Sequence, residues 1–276
     1  MNQTYTQLRL DLGAALASFL SPREASLEAV RWFEEGLGKD RVWMAAHGDE
    51  GVPDEVRRQV SRWVRQRQQG MPWAYILGWT SFRGRRFKVS PDTLIPRPET
   101  ELVLEAALEV GRRLKVRRAC DIGTGTGILA ISLALETDWE ITASDLSPAA
   151  LAIAKGNATA LGAAVTFFQG DLLGPVPAPL GLVVSNPPYV DPADEPGLQR
   201  ELGFEPRMAL FAEDHGLALS EAILRQAKAR MAPAVVLEIG AEQGRELVAR
   251  AENMGWARVT CSQDFAGHDR VLVALG

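Results

Sequence analysis

Two short segments of this 276-residue chain carry residue types and spacings suited to chemistry: Asp121-Ile122-Gly123-Thr124-Gly125-Thr126-Gly127 and Asn186-Pro187-Pro188-Tyr189. In the first, glycines let the backbone take positive φ and let a ligand approach to van der Waals contact, so the loop can present backbone amides to it. Two ligands compete for such a loop. Gly125, Gly127 and Ala130 satisfy the dinucleotide spacing, in which the loop cradles a pyrophosphate. Asp121, two residues before the first glycine, argues otherwise. A carboxylate there repels pyrophosphate but attracts the ammonium of a methionine moiety. The balance favours S-adenosylmethionine, which has no phosphate.

Further acids stand where the next strands should end. Asp145 follows Gly127 by 18 residues and can accept both ribose hydroxyls, a device common to both cofactor types. Its bland alternative is to support the helix start at Ser147-Pro148. Asp171 can accept an adenine amino group, with Leu172 packing on the ring; the alternative is an ordinary turn aspartate. One acid at each of three successive strand ends is a stronger signal than any glycine count.

The Asn186–Tyr189 segment directly follows the apolar run Leu182-Val183-Val184-Ser185. Asn and Pro are turn residues, and Pro cannot donate to a strand ladder, so a plain strand terminator is the competing reading. The chemistry explains the residue types better. An amide or aniline-type nitrogen is a poor nucleophile because its lone pair is delocalised. Two acceptors aimed at its two N–H bonds, the Asn186 side-chain oxygen and the Pro187 carbonyl, hold it and favour pyramidal geometry as the lone pair turns toward the methyl. Consecutive prolines fix the backbone and add no competing donor, and the Tyr189 ring can stack on a planar group. A sulfonium is already a strong methyl donor, so the protein mainly orients and polarises. No strong general base is evident.

The elements that must position these loops are legible as patterns. Residues 118–122, 140–144, 165–168, 182–185, 234–239, 257–262 and 270–274 read as strands. Helices fall between most of them, at 127–135, 148–161, 216–231 and 242–254. Such alternation predicts a parallel, doubly wound sheet covered on both faces, with ligands beyond the carboxyl ends of its strands. The first 70 or so residues read as helices. Leu8, Leu12, Ala15, Leu16 and Phe19 recur at helical spacing, Ser21-Pro22 looks like an N-cap with Pro at N1, and Leu27, Val30, Phe33 and Leu37 form a second apolar set ending at Gly38. A further helix over 53–69 carries Arg57, Arg58, Arg62, Arg65 and Arg67, either a solvated face or a partner-docking face. Between the two regions Phe82 to Val89 suggests a hairpin. The predicted division is a helical domain over 1–75, a connector with a hairpin over 76–98 and an α/β domain over 99–276.

Composition excludes several classes. Apolar residues make up 46% and charged residues 24%, ordinary for a globular protein. The net charge of −5 argues against a protein that lives on a nucleic-acid backbone, so no direct nucleic-acid partner is expected. Two cysteines without a spacing pattern fit a reducing cytoplasm. Three scattered histidines make no ligand set, so no metal is predicted. No secretion signal and no apolar run long enough to span a bilayer is evident.

The motifs resemble those of the HemK-type protein-(glutamine-N5) methyltransferases, which modify the glutamine of the Gly-Gly-Gln motif in peptide chain release factors. The likeness is carried by Tyr75–Gly78, Leu94-Ile95-Pro96-Arg97-Pro98-Glu99-Thr100-Glu101, the Asp121–Gly127 loop, Asn186–Tyr189, Glu205-Pro206 with Ala209-Leu210, Glu238-Ile239-Gly240 with Gln243, and Asp264 with Gly267 and Arg270. It implies a small helical domain that helps hold the release factor, followed by a Rossmann-like seven-stranded S-adenosylmethionine methyltransferase domain whose product is S-adenosylhomocysteine. It implies cofactor contacts at Gly123, Thr124, Gly125, Thr126, Gly127, Asp145, Asp171, Leu172 and Asn186, to which Asp121 is added by its charge. It further implies that Asn186, Pro187, Pro188 and Tyr189 bind the substrate glutamine; the amide chemistry above makes Asn186, Pro187 and Tyr189 the candidates for catalysis. Many relatives carry an aromatic residue where Leu172 stands, so ring stacking on adenine is weakened or supplied elsewhere. Arg97–Glu101 should lie near the cofactor pocket. A cytoplasmic monomer is expected. The alternatives are a methyltransferase acting on a ribosomal-protein glutamine, an adenine-N6 nucleic-acid methyltransferase, and a binding module without catalysis.

Overall fold

The computed structural model describes residues 3–276, which fall into two compact units meeting at Gly78 and Trp79. The first unit is helical: α1 (Tyr5–Leu16), α2 (Pro22–Arg31), α3 (Arg41–His47), α4 (Asp54–Gln68) and α5 (Trp73–Leu77). Ser21 caps α2 in a reciprocal box with Glu24, with Pro22 at the first helical position. The apolar face of this helix differs from the sequence reading. The inward face of α2 is Ala25 and Ala29, continued by Trp32 and Phe33 at the start of a π-helical turn, Trp32–Gly36; Leu27, two residues from both alanines, points away and is 59% exposed. Trp32 stacks on Trp73 with centroids 4.5 Å apart, and Trp63 meets both edge-on. The arginine helix α4 is not uniformly solvated: Arg67 is buried and donates to Glu28 at 2.7 Å.

The second unit opens with a hairpin, β1 (Trp79–Phe82) and β2 (Arg85–Lys88), then α6 (Thr100–Leu114). Alternation follows: β3 (Arg118–Ile122), α7 (Ile128–Glu136), β4 (Glu140–Asp145), α8 (Pro148–Leu161), β5 (Val165–Gln169), β6 (Leu182–Ser185), α9 (Ala218–Ala229), β7 (Ala234–Glu238), α10 (Gly244–Asn253), β8 (Arg258–Gln263) and β9 (Asp269–Leu275). Helix α6 is absent from the sequence reading, although Val103, Leu104, Ala107 and Leu108, all buried, stand at helical spacing. Short 3-10 turns between β6 and α9 are likewise unforeseen.

The seven-stranded sheet has the order β5-β4-β3-β6-β7-β9-β8. It is mixed rather than parallel. The turn joining β8 to β9 is too short for a crossover, so β9 runs antiparallel to both β8 and β7. Strand β6 shows why the centre reads as a continuous apolar run: Leu182 and Val184 enter one core cluster and Val183 the other, because successive side chains point to opposite, helix-covered faces. Chain order reverses between β3 and β6, the switch point where open α/β sheets bind ligands. The registers of β3 and β6 end together at Ile122 and Ser185, and the Ser185 hydroxyl donates to the Ile122 carbonyl at 2.6 Å. The loops after these two strands therefore leave the sheet side by side.

Candidate active site

A cleft opens at this switch point. It is lined by Asp121 near the end of β3 with Gly123, Thr124, Gly125 and Thr126 after it, by Asp145 at the end of β4, by Asp171 and Leu172 after β5, and by Asn186 and Pro188 after β6. Thr93, Leu94, Pro96 and Thr100 border it from the segment before and at the start of α6, and Pro206, Met208 and Ala209 from the turns after β6. Three predicted site residues do not line it. Gly127 starts α7 with φ 82°, and a Cβ there would meet Ile131 at 2.8 Å and Ala154 at 3.2 Å, so it permits close packing of α7 on α8. Pro187 is buried, and Tyr189 turns its hydroxyl toward Glu238.

The glycine loop is held locally. Asp121 is 1% exposed, and its Oδ2 accepts from the Thr124 hydroxyl at 2.6 Å and from Ala130 N–H at 3.2 Å, which ties the strand end to the first turn of α7. Burial pushes its carboxyl up to about 7; the two hydrogen bonds oppose the shift and the neighbouring Asp145 charge adds to it. Asp145 accepts from Gly125 N–H at 2.8 Å and Ser147 N–H at 2.9 Å, so it braces the loop and the start of α8, where Ser147 is the N-cap. The buried Asn157 side chain donates to the Thr126 carbonyl at 2.9 Å and bonds both backbone groups of Lys88, so α8 fastens the loop to the hairpin.

The Asn186 loop is held from a distance. Asn186 Nδ2 donates to Thr100 Oγ1 at 3.2 Å, and Thr100 Oγ1 lies 2.7 Å from Glu238 Oε2. The Tyr189 hydroxyl donates to Glu238 Oε1 at 3.2 Å. Glu238 is fully buried, and its carboxyl is raised by desolvation, against its bonds to Thr100 and Tyr189 and the charge of Arg270. Burial and the Glu238 charge raise the Tyr189 phenol as well. Gln243 donates to the Tyr189 carbonyl at 2.9 Å and accepts from Gly240 N–H at 2.8 Å. Asn186 Oδ1 is buried and accepts no hydrogen bond from any described residue. A buried acceptor normally has a partner, so this oxygen marks where a donor is missing.

Residues quoted for the family resemblance prove to be fasteners. Glu205, buried, accepts from Ile95 N–H at 2.9 Å and from the Arg97 guanidinium, which pins the cleft wall before α6. Arg270 donates to the Ile239 carbonyl at 3.2 Å and to Asp264. Thr100 and Glu238 were not singled out by the reasoning from chemistry. Both lie inside motifs that carry the resemblance, Leu94–Glu101 and Glu238–Gly240, but local chemistry gives neither a role, because each acts on a loop far away in sequence.

The donor set decides what ligand fits. Four aspartates, Asp92, Asp121, Asp145 and Asp171, line the cleft and, among the described residues, no lysine or arginine does. The charged side chains of the lining would all repel a diphosphate. A ligand that brings an ammonium, hydroxyls and an amino group suits the three carboxylates at strand ends, and its S-adenosylmethionine form fits. Among the described residues no cluster of three or more potential metal ligands occurs, and no helix is long and apolar enough to cross a membrane.

Comparison with known proteins gives a consistent result. A family model described as the methyltransferase small domain matches residues 99–202, and one described as the PrmC N-terminal domain matches residues 12–78. A release factor glutamine methyltransferase of Bordetella pertussis is 40% identical over 250 residues, covering 89% of this chain and 93% of the relative. One from Neisseria gonorrhoeae is 40% identical over 237 residues, covering 84% and 86%. Among solved structures, the N-terminal domain of human METTL16 in complex with SAH aligns with a TM-score of 0.52 at 16% identity, covering 68% of this chain and 75% of that one. That last likeness shows the fold alone.

Proposed function

We propose, from the premise that this chain belongs to the family of release factor glutamine methyltransferases, that it methylates the side-chain amide nitrogen (N5) of the glutamine in the Gly-Gly-Gln motif of a peptide chain release factor. S-adenosylmethionine, when bound, supplies an electrophilic methyl group on its sulfonium. Among the residues lining the cleft, the Asp121 carboxylate would hold its ammonium, Asp145 its ribose hydroxyls, and Asp171 with Leu172 its adenine. Asn186 Oδ1 and the Pro187 carbonyl accept the two N–H bonds of the substrate amide. They hold its nitrogen against the methyl and weaken the conjugation that keeps the lone pair in the amide plane. Tyr189, anchored through its hydroxyl to Glu238, holds the end of the loop. The helical unit holds the protein substrate.

The observation that carries this reading is the buried, unpartnered Asn186 Oδ1 in a loop beside a cleft lined by aspartates. A donor nitrogen completes it. The test is methyl transfer from labelled S-adenosylmethionine to purified release factor, beside the same factor with the Gly-Gly-Gln glutamine changed to alanine. Ribosomal protein and double-stranded DNA are run in parallel. Label on the release factor that vanishes with the glutamine is the expected result. Label only on ribosomal protein or DNA would keep the methyl donor and overturn the substrate.

A further inference from the structure

We propose that Thr100 and Glu238 are positioning residues that set the orientation of the Asn186 amide, and that this orientation makes the site select a nitrogen carrying hydrogens over an oxygen in the same place. The inference rests on the amide-nitrogen reading of the Asn186 loop and deepens it.

The geometry is a directional chain. A hydroxyl has one hydrogen to give and lone pairs with which to accept. The Thr100 hydroxyl donates to Glu238 Oε2 at 2.7 Å, which uses its single hydrogen. Thr100 Oγ1 can then only accept, and what it accepts from is Asn186 Nδ2 at 3.2 Å. With its nitrogen committed, the Asn186 amide leaves Oδ1 as the free group. The flipped amide would set Oδ1 against the lone pairs of Thr100 and leave an N–H in its place. The two ends of an asparagine amide differ little in shape; hydrogen bonding is what tells them apart, and Thr100 and Glu238 supply it. The other carboxylate oxygen, Oε1, accepts from Tyr189, so one buried group orders both ends of the four-residue loop.

The placement is a product of the fold. Thr100 begins α6 and Glu238 ends β7, which pairs with β6 so that Leu237 stands opposite Ser185. Both side chains are buried, at 1% and 0% exposure, and so sheltered from competing water. The consequence is chemical selection. An acceptor-only group at Oδ1 bonds the amide NH2 of glutamine and repels the carboxylate of glutamate, which offers only lone pairs. A flipped Asn186 would offer an N–H and lose that distinction.

The experiment is a double-mutant cycle on the full chain, with turnover measured on release factor and cofactor affinity by calorimetry. Thr100→Val removes the hydroxyl at nearly constant shape and should lower kcat roughly 10- to 100-fold, the range for a misoriented buried polar group. Thr100→Ser keeps the hydroxyl and should stay within about threefold of wild type. Glu238→Gln can donate to Thr100, reverses the chain and should resemble Thr100→Val. Once Asn186 is alanine no amide remains to orient, so adding Thr100→Val to Asn186→Ala should change kcat less than about twofold. An equal loss in both backgrounds, or failure of Thr100→Ser to retain activity while it remains folded by circular dichroism, would overturn the proposal. Failure of the substrate reading is separate. If wild type labels another nitrogen acceptor and not the release-factor glutamine, that reading falls, and the same cycle run on the labelled acceptor still decides the positioning role.

Discussion

The glycine loop and the Asn186 loop leave neighbouring strands, yet they are held in different ways. The glycine loop is braced largely from nearby in sequence: Thr124 and Ala130 on Asp121 are 3 and 9 residues away, and Asp145 on Gly125 is 20. The Asn186 loop is braced across the fold. Thr100 is 86 residues from Asn186, Glu238 49 from Tyr189, and Gln243 54 from the same tyrosine. A loop tied mainly to its neighbours keeps its shape wherever its strand and helix form. A loop tied to distant groups has its shape only when α6, β7 and the turn before α10 are docked. If the glycine loop binds the methyl donor and the Asn186 loop orients the acceptor, as proposed, the two functions rest largely on different braces, and substitutions should separate them.

The largest effect comes from the loop's own functional group. Asn186→Ala is expected to lower turnover roughly 10²- to 10³-fold, the scale for removing a preorganised polar group, while cofactor affinity stays within about threefold. Calorimetry beside steady-state kinetics checks both. Near-normal turnover would remove the loop from the chemistry and dissolve the contrast.

The opposite pattern is expected at Asp121. Its carboxyl sits at about 7 and must be ionised to hold an ammonium. Protonation as pH falls below that value removes the partner charge, so the cofactor Kd should rise by up to about tenfold per pH unit between pH 7 and 5 and level off above pH 8. Asp121→Asn, uncharged throughout, should bind roughly 10- to 100-fold more weakly at pH 8 and lose this pH dependence. A wild-type Kd that is flat across the range would exclude Asp121 as the ammonium partner.

This difference in bracing also explains what could be read from the sequence. The acids at strand ends, the glycine spacing and the alternation of strands and helices are short-range patterns, and the cleft gathers Asp121, Asp145, Asp171 and Asn186 as the spacing predicts. The strand 118–122, the helix 148–161 and the strand 182–185 coincide with β3, α8 and β6. The antiparallel β9 could have been read: the seven residues between 262 and 270 are too few for a crossover to a parallel neighbour, and extending the strand–helix alternation over this last pair hid it. The tryptophan-centred helical core was partly misread at Leu27, since α2 turns its small residues Ala25 and Ala29 inward to make room for the tryptophans and leaves the larger apolar side chain outside. Thr100 and Glu238 meet across 138 residues, and no pattern within a window of sequence encodes such a pair.

A steric change tests the long-range bracing at lower cost. Gly216 has φ 80°, and a Cβ there would lie 2.1 Å from the Tyr189 carbonyl oxygen. Gly216→Ala must push the loop or strain its own backbone. The expected outcome is a loss of roughly 1–3 kcal/mol in stability, with a fall in kcat and little change in cofactor affinity. A melt with and without cofactor, beside kinetics, separates these quantities. Equal damage to cofactor binding would mean that the two loops move together.

The smallest effect should come from Gln243. Its Nε2 bridges the Tyr189 and His215 carbonyls at 2.9 and 3.1 Å, while its Oε1 is tied to Gly240 N–H. Truncation to alanine removes the bridge but leaves Thr100 and Glu238 in place, so the Asn186 amide keeps its orientation and only the far end of the loop loosens. A net loss near that of one ordinary hydrogen bond, roughly 0.5–1.5 kcal/mol, corresponds to about a two- to tenfold fall in kcat. Gln243→Glu is the sharper variant. It keeps the acceptor for Gly240 but sets an anion against two carbonyl oxygens, so it should fall below alanine in kcat and recover as pH is lowered and the new carboxyl protonates. If alanine and glutamate behave alike at every pH, the bridge does not hold the loop, and its order comes from Glu238 alone.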